Sequence, residues 1–200
     1  MMDKKNVAVI GGGSGLGQEL VLEELNKSNK VTVLSSIDRN EIYHGKASCF
    51  VMDLNNLDVN KLDEILKSQK ISKIYFCSVI ASHKNFKNFT YNEIINQVNF
   101  NVTSVVIILN LLVKKYSKIK LVFILSHVCF IFSPGFALYR MYKKAIEDLL
   151  LSIEIENPQY LVTRVYPGAI DTNFTKNTNY SGVSIFKKKS PKWWARKIVN

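Results

Sequence analysis

The sequence predicts an α/β fold in a single domain. Six short apolar runs alternate with amphipathic stretches of helical period, which is the pattern of strands joined through helices. The first run ends in a glycine-rich turn that opens a helix. With 200 residues, 47% of them hydrophobic, the chain has enough apolar content for one sizeable core. No internal repeat, low-complexity segment or domain boundary interrupts it.

Val7–Ile10 is the first strand, and Gly11-Gly12-Gly13-Ser14-Gly15-Leu16-Gly17 follows at once, with Leu20, Val21 and Leu25 continuing a helix. Strand, glycine turn and helix in that order are the context of a dinucleotide-binding fingerprint. The glycines allow close backbone approach to a pyrophosphate, and the helix N-terminus stabilises its charge. Lys30–Ser36 is the second strand. An acidic residue at this strand end accepts the ribose hydroxyls in NAD-preferring Rossmann domains. Here Ser35 and Ser36 stand there, with Asp38 and Arg39 just beyond, so NADP(H) is favoured and NAD(H) is the alternative. Asp38 reaching back to the ribose would reverse that preference.

Few residues separate this strand from Ala47–Met52, so the connecting helix is expected to be short or absent. Asp53-Leu54 follows the third strand. Asp53 suits either acceptance from an adenine amino group or a helix-entry turn, the latter favoured also by Asn55 and Asn56. An amphipathic helix then runs through Leu62, Ile65 and Leu66. Lys73–Ile80 reads as the fourth strand, and Thr90 with Glu93 forms a capping box for one long helix to Lys115. Asn99 and Asn101 lie inside that helix, where an amide needs a partner or a task, such as a water relay to Lys143. Lys120–Leu125 is the fifth strand. Beyond the Ser133-Pro134-Gly135 turn, Met141, Ala145, Ile146, Leu149, Leu150 and Ile153 mark a helix to Glu156, which Asn157-Pro158 stops. Tyr160–Val165 is the sixth strand and delivers Pro167-Gly168-Ala169-Ile170-Asp171-Thr172, a turn suited to meet a cofactor amide. Residues 173–189 are polar and lysine-rich and are read as a substrate flap. A last helix starts at Pro191, with Trp193, Trp194, Ile198 and Val199 on its apolar side.

The net charge of +11 is spread along the chain as lysine. A phosphorylated ligand, an anionic membrane or nucleic acid would each suit a basic surface. No Lys/Arg stripe with interleaved aromatics occurs, which argues against nucleic acid. Cys49, Cys77 and Cys129 are too few and too scattered for a disulfide framework or a metal site, and they suit a reducing, cytoplasmic setting. No signal peptide fits the N-terminus, and the apolar stretches read as too short and interrupted to cross a bilayer.

The chemistry concentrates between Ser126 and Lys143. Tyr139 and Lys143 are one helical turn apart on one face. A phenol is a poor base near neutrality, and an ammonium fixed beside it would move its pKa toward working pH. Ser126, from the neighbouring strand end, would hold a substrate carbonyl oxygen while Tyr139 supplies or removes its proton.

Four motifs in order resemble the short-chain dehydrogenase/reductase family in its compact single-domain branch. They are Gly11-xxx-Gly15-x-Gly17, Ser126 thirteen residues before Tyr139, Tyr139-xxx-Lys143, and Pro167-Gly168 followed by Thr172. The resemblance implies a Rossmann-type doubly wound parallel sheet with helices on both faces. It implies hydride transfer between a nicotinamide and a carbonyl or secondary alcohol. Tyr139 would be the acid/base, Lys143 would lower its pKa and bind the nicotinamide ribose, Ser126 would orient the carbonyl, and Asn101, with Asn99 as fallback, would hold the relay. The implied cofactor set is Gly11, Gly13, Ser14, Gly15, Leu16, Gly17, Ser35, Ser36, Arg39, Asp53, Leu54, Cys77, Tyr139, Lys143, Pro167, Gly168, Ile170 and Thr172, with no metal.

The sequence departs from the family's pattern in three places. Cys77-Ser78-Val79-Ile80 stands where an Asn-Asn-Ala-Gly signature is usual, Ser14 stands where many NADP-dependent members carry Arg or Lys, and the family's last strand and helix are missing. The partners expected are a small carbonyl or alcohol and further copies in a homodimer or homotetramer through the two long helices. Two other functions fit the sequence less well. One is a nucleotide sensor or scaffold without turnover, suggested by the altered Cys77–Ile80 segment. The other is a membrane-surface reductase, suggested by Lys187-Lys188-Lys189 beside Lys192-Trp193-Trp194. Packing of the Trp pair over the substrate pocket, with solvated lysines, is favoured over that membrane role.

Overall fold

The computed structural model describes residues 4–172 and 188–200. Most of the expected flap therefore lies outside the described residues, as does Lys187. Six parallel strands form one sheet: β1 (Asn6–Ile10), β2 (Lys30–Ser35), β3 (Ser48–Val51), β4 (Lys73–Phe76), β5 (Lys120–Ile124) and β6 (Val162–Val165). Their order is β3-β2-β1-β4-β5-β6, so the connection from β3 to β4 carries the chain from one half of the sheet to the other and the strand order reverses between β1 and β4. That is the switch point at which ligands bind in doubly wound sheets, beyond the carboxyl ends of the strands. Helices cover both faces: α1 (Gly15–Asn26), α2 (Asn40–Tyr43), α3 (Val59–Ser68), α4 (Tyr91–Val98), α5 (Ser104–Lys115), α6 (Ala137–Glu156) and α7 (Pro191–Val199).

The central strands are apolar throughout because each face carries its own core. Ala8, Ile10, Ile74, Phe76, Leu121 and Phe123 point to the face of α3 and α5, while Val7, Val9, Tyr75, Val122 and Ile124 point to the face of α1. Period-two alternation thus sorts one continuous run into two cores. On the first face, Ile108, Leu109 and Leu112 of α5 are at most 1% exposed, each stabilising the fold by about 1.5–3 kcal/mol of burial. One buried polar group inside this frame is fully partnered. Glu24, 1% exposed, accepts from Lys73 Nζ (2.9 Å), Tyr75 OH (2.5 Å) and Asn29 Nδ2 (2.5 Å), tying α1 to β4. These bonds hold its carboxyl below the ordinary range although burial pushes the other way.

The structure corrects the sequence reading in four places. β4 ends at Phe76 rather than Ile80: its pairing stops at Ile10 of β1, where that strand ends, and at Phe123 of β5. The apolar Cys77–Ile80 run leaves the sheet. The long helix is interrupted at Asn99–Thr103 by a π-helical turn between α4 and α5. Its span from Tyr91 to Lys115 is long and apolar enough to cross a bilayer by length and composition, contrary to the expectation, but in this fold it packs on the sheet. In α6 the buried stripe is Leu138, Tyr142, Ile146, Leu150 and Ile153, and Met141 and Ala145 face outward. The short connection after β2 holds as expected, with α2 only four residues long.

α7 turns Trp194, Ile198 and Val199 onto the α1 side of the sheet around buried Ala195. Lys27 Nζ donates to Val199 O (2.7 Å) and Arg196 pairs with Glu23 (3.3 Å). The Trp pair therefore does not cover the substrate pocket. Trp194 is half-buried against the core, and Trp193, 40% exposed, stands edge-on to it at 5.1 Å near the ammonium groups of Lys189 and Lys197.

Candidate active site

A cleft of about 720 Å³ opens at the carboxyl ends of β1, β2, β4, β5 and β6, within the range of small-molecule and cofactor pockets. One end is built from backbone. Gly11 takes a left-handed φ of +86°, and a Cβ there would lie 2.5 Å from Ser78 N. Gly15 is likewise left-handed (φ +54°), and a Cβ on Gly17 would stand 2.1 Å from Gly11 O. These positions are glycine for a steric reason: the turn folds back on itself, and α1 begins inside it. Tyr43, 2% exposed, closes the turn from behind by donating to Gly12 O.

Gly13, Ser14, Gly15, Leu16 and Gly17 line the cleft, as do Ser35, Ser36 and Arg39. Arg39 lies over Gly13, where a Cβ would come within 2.9 Å of its Nε. That Nε is buried and has no hydrogen-bond partner among the described residues. Asp38 is turned away: its carboxylate accepts from Asn40 N and Nδ2 (both 2.8 Å), which holds it below the ordinary range. It does not reach back to the cleft. Asp53 is likewise exposed and taken up by Asn55 N (2.9 Å) and Asn56 Nδ2 (2.9 Å), the helix-entry turn rather than a base contact. Of that pair only Leu54 lines the cleft.

The other end is built from side chains. β5 ends at Ile124, and Ser126 follows as the cap of a short 3-10 turn, its Oγ accepting from Val128 N (3.3 Å). α6 lays Tyr139 and Lys143 beside it. Tyr139 is 8% exposed, hydrogen-bonded to Ser126 and packed edge-on against Tyr142 at 5.4 Å. Lys143 Nζ donates to Ile124 O (2.7 Å) and lies 5.9 Å from the Tyr139 ring centroid. Ser126, Tyr139 and Lys143 thus converge as the spacing predicts.

The electrostatics differ from expectation. Burial pushes the Tyr139 phenol up to about 12, against the lowering effect of Ser126, and burial brings Lys143 down to about 8. The ammonium is aimed at Ile124 O rather than at the phenol, so in this arrangement it does not draw Tyr139 toward neutrality. Cys77, on the cleft wall, is pushed up to about 12 by burial and stays a neutral thiol.

Asn101 sits in the π turn and grips the Cys77–Ile80 segment. Its Oδ1 accepts from Ile80 N (3.0 Å), and its Nδ2 donates to Ile80 O (2.8 Å) and Gln97 O (2.8 Å). Tyr142 OH also donates to Ile80 O (2.7 Å). A π turn adds the residue that swings this amide out of helical register toward the strand end. Cys77 N and Ser78 N both donate to Ile10 O, so the segment holds a fixed path despite its altered composition. Asn99 is not on the cleft wall; its Oδ1 faces Thr103 Oγ1. Pro167, Gly168, Ile170 and Thr172 complete the wall, Thr172 coming within van der Waals reach of a Cβ on Gly15. Cleft residues with no short-range signature include Ile80, Phe100, His127, Val128, Ile131, Phe132 and Phe136.

The family model described as short chain dehydrogenase matches residues 5–181. The 3-oxoacyl-(acyl-carrier-protein) reductase FabG of Buchnera aphidicola subsp. Schizaphis graminum is 27% identical over 193 residues, covering 89% of this chain and 78% of that protein. Among solved structures, the 3-ketoacyl-(acyl-carrier-protein) reductase of Brucella melitensis complexed with NADH superposes with a TM-score of 0.86 at 16% identity, covering 100% of this chain and 91% of that one. ElxO with NADP bound gives 0.84 at 21% identity, covering 98% and 90%.

Proposed function

The chain belongs to the short-chain dehydrogenase family, and on that premise we propose that it is an NADP(H)-preferring reductase of ketones and aldehydes with Tyr139 as proton donor. The observation that carries the reading is the convergence of Ser126, Tyr139 and Lys143 at the end of β5, across one cleft from the glycine turn. The cofactor supplies the hydride. The described residues fit it: the glycine turn leaves backbone room, and Arg39 brings a buried, unpartnered N–H to the Ser35-Ser36 end. A cation and two hydroxyls, with Asp38 turned away, favour the extra phosphate of NADP(H).

At the other end, Tyr139 is a neutral phenol at neutral pH, the form that can give a proton to a carbonyl oxygen. Ser126 Oγ shares a hydrogen bond with that phenol and is placed to hold the same oxygen. Lys143, with its pKa brought down to about 8, can pass a proton toward the site once its ammonium leaves Ile124 O. Asn101 acts here as a positioning residue, fixing the backbone of Ile80 on the cleft wall. The assembly we propose is a homodimer or homotetramer, supported by exposed Val106 and Ile107 on α5 and Met141, Leu151 and Ile155 on α6. The three cysteines are free, which supports a reducing, cytoplasmic setting.

Titration with NADPH and NADH, followed by turnover against a carbonyl panel, tests the reading. Tighter binding of NADPH and turnover that collapses in Tyr139→Phe support it. Binding without turnover of any carbonyl would favour a nucleotide sensor, and binding of neither nucleotide would overturn the assignment.

A further inference from the structure

The loop from Val128 to Phe136 carries three consecutive large apolar residues in the open: Phe130 is 59% exposed, Ile131 43% and Phe132 85%. Such a run leaves much apolar surface in solvent, yet its path is fixed by side chains on neighbouring elements. Arg140, one residue after Tyr139, donates to Val128 O and to Ile131 O (3.1 Å), and its guanidinium lies 4.0 Å from the Phe132 ring centroid. The far end of the loop is fixed independently. His83 Nε2 meets Pro134 O at 3.1 Å, its ring packs at a tilt against Phe136 at 4.6 Å, and Lys84 N donates to Gly135 O (3.1 Å). Gly135 must be glycine there, since its φ is +80° and a Cβ would lie 2.4 Å from His83 Nε2.

Ile131 and Phe132 also line the cleft that holds Ser126 and Tyr139. Among its described lining residues the charged ones are Arg39, at the far end, and Lys143. Around Ser126 and Tyr139 the described wall is mostly apolar, with Ile80, Val128, Ile131, Phe132 and Phe136 beside His127 and Ser133, and Lys143, the charged lining residue at this end, is bonded to Ile124 O.

Resting on the reductase reading, we propose that Ile131 and Phe132 form a ledge for the apolar tail of an uncharged carbonyl substrate, which leaves the cleft over Phe132. The ledge contacts one side of the tail, so each added methylene is about half-buried and raises affinity roughly two-fold.

The probes are methyl ketones of increasing chain length, from butan-2-one to decan-2-one. Their binding is measured by calorimetry on the NADPH-loaded Tyr139→Phe variant, so that affinity is scored whether or not the wild type turns over. Affinity should climb with chain length, and adding Phe132→Ser should flatten the climb, weakening decan-2-one roughly ten-fold more than butan-2-one. In the wild type the same flattening should appear in KM rather than kcat. Chain-length-independent binding, or tighter binding of pyruvate than of butan-2-one, overturns the proposal. So does an unchanged slope in Phe132→Ser. If that variant instead dissociates an oligomer by light scattering, or releases the protein from phosphatidylglycerol vesicles, with the slope intact, the ledge belongs to a second copy or a membrane. A length-dependent affinity without wild-type turnover would leave the ledge standing and overturn only the reductase reading.

Discussion

The two ends of the cleft are made by different means. At the glycine end the ligand-facing surface is main chain, and the sequence must supply the lack of a side chain at Gly11 and Gly17. At the Tyr139 end the surface is side chains placed just after β5 and on α6, each held by a partner distant in sequence. A backbone site fails sterically and all at once. A side-chain site fails group by group. Substitutions at the two ends should therefore separate binding from chemistry.

The largest effect is expected at Tyr139. Tyr139→Phe keeps the edge-on packing with Tyr142 but removes the proton, and kcat should fall by about 10³-fold while NADPH affinity moves little. Gly17→Ala should do the reverse, because its Cβ would meet Gly11 O, which is backbone and cannot step aside. Nucleotide binding should be lost in fluorescence titration, with an accompanying destabilisation of about 1–3 kcal/mol. Arg39→Ala should weaken NADPH by roughly 10- to 100-fold and NADH much less, the range expected for removing a charge-assisted hydrogen bond. Equal losses for the two nucleotides would remove Arg39 from phosphate recognition.

The boundary between the ends is Asn101. Asn101→Ala strands Ile80 N and removes bonds to two carbonyls, so denaturant unfolding should show a loss of about 1–3 kcal/mol. KM values should rise as well, since Ile80 lines the cleft. The smallest effect is a pH dependence. Lys143 titrates near 8 in the fold and near 10.5 when unfolded, so between these values the unfolded chain binds more protons. Wild-type stability relative to Lys143→Met should accordingly rise as pH climbs from about 8 toward 10.5, and be flat below that window. A flat difference throughout would mean that the ammonium is not desolvated.

The same contrast explains what the sequence made legible. The glycine turn, the Ser126–Tyr139–Lys143 spacing and the strand–helix alternation are short-range patterns, and the fold follows them. The Cys77–Ile80 run looked like strand because it is apolar, but its apolarity serves the cleft wall, and the pairing of β4 stops at Phe76, level with the end of β1. The π turn was hidden for a similar reason. Asn101 breaks an apolar helical pattern without changing its period, and its partner Ile80 lies 21 residues away. Met141 and Ala145 fitted a helical stripe equally well, and only the sheet's position decides which stripe is buried. Asp53 and Asp38 could be sorted into turn or ligand roles only once their amide partners were in place. His83 and Arg140 left no trace at all, since both act on carbonyls whose identity the sequence does not encode.

Proton donation by Tyr139 is the central proposal, and single-turnover reduction of a ketone by pre-bound NADPH tests it. The wild type should oxidise the nucleotide in a fast phase, and Tyr139→Phe, loaded to the same occupancy, should lose that phase by about 10³-fold. A Tyr139→Phe enzyme that reduces the ketone at the wild-type rate would contradict the account, because the proton would then come from elsewhere in the cleft.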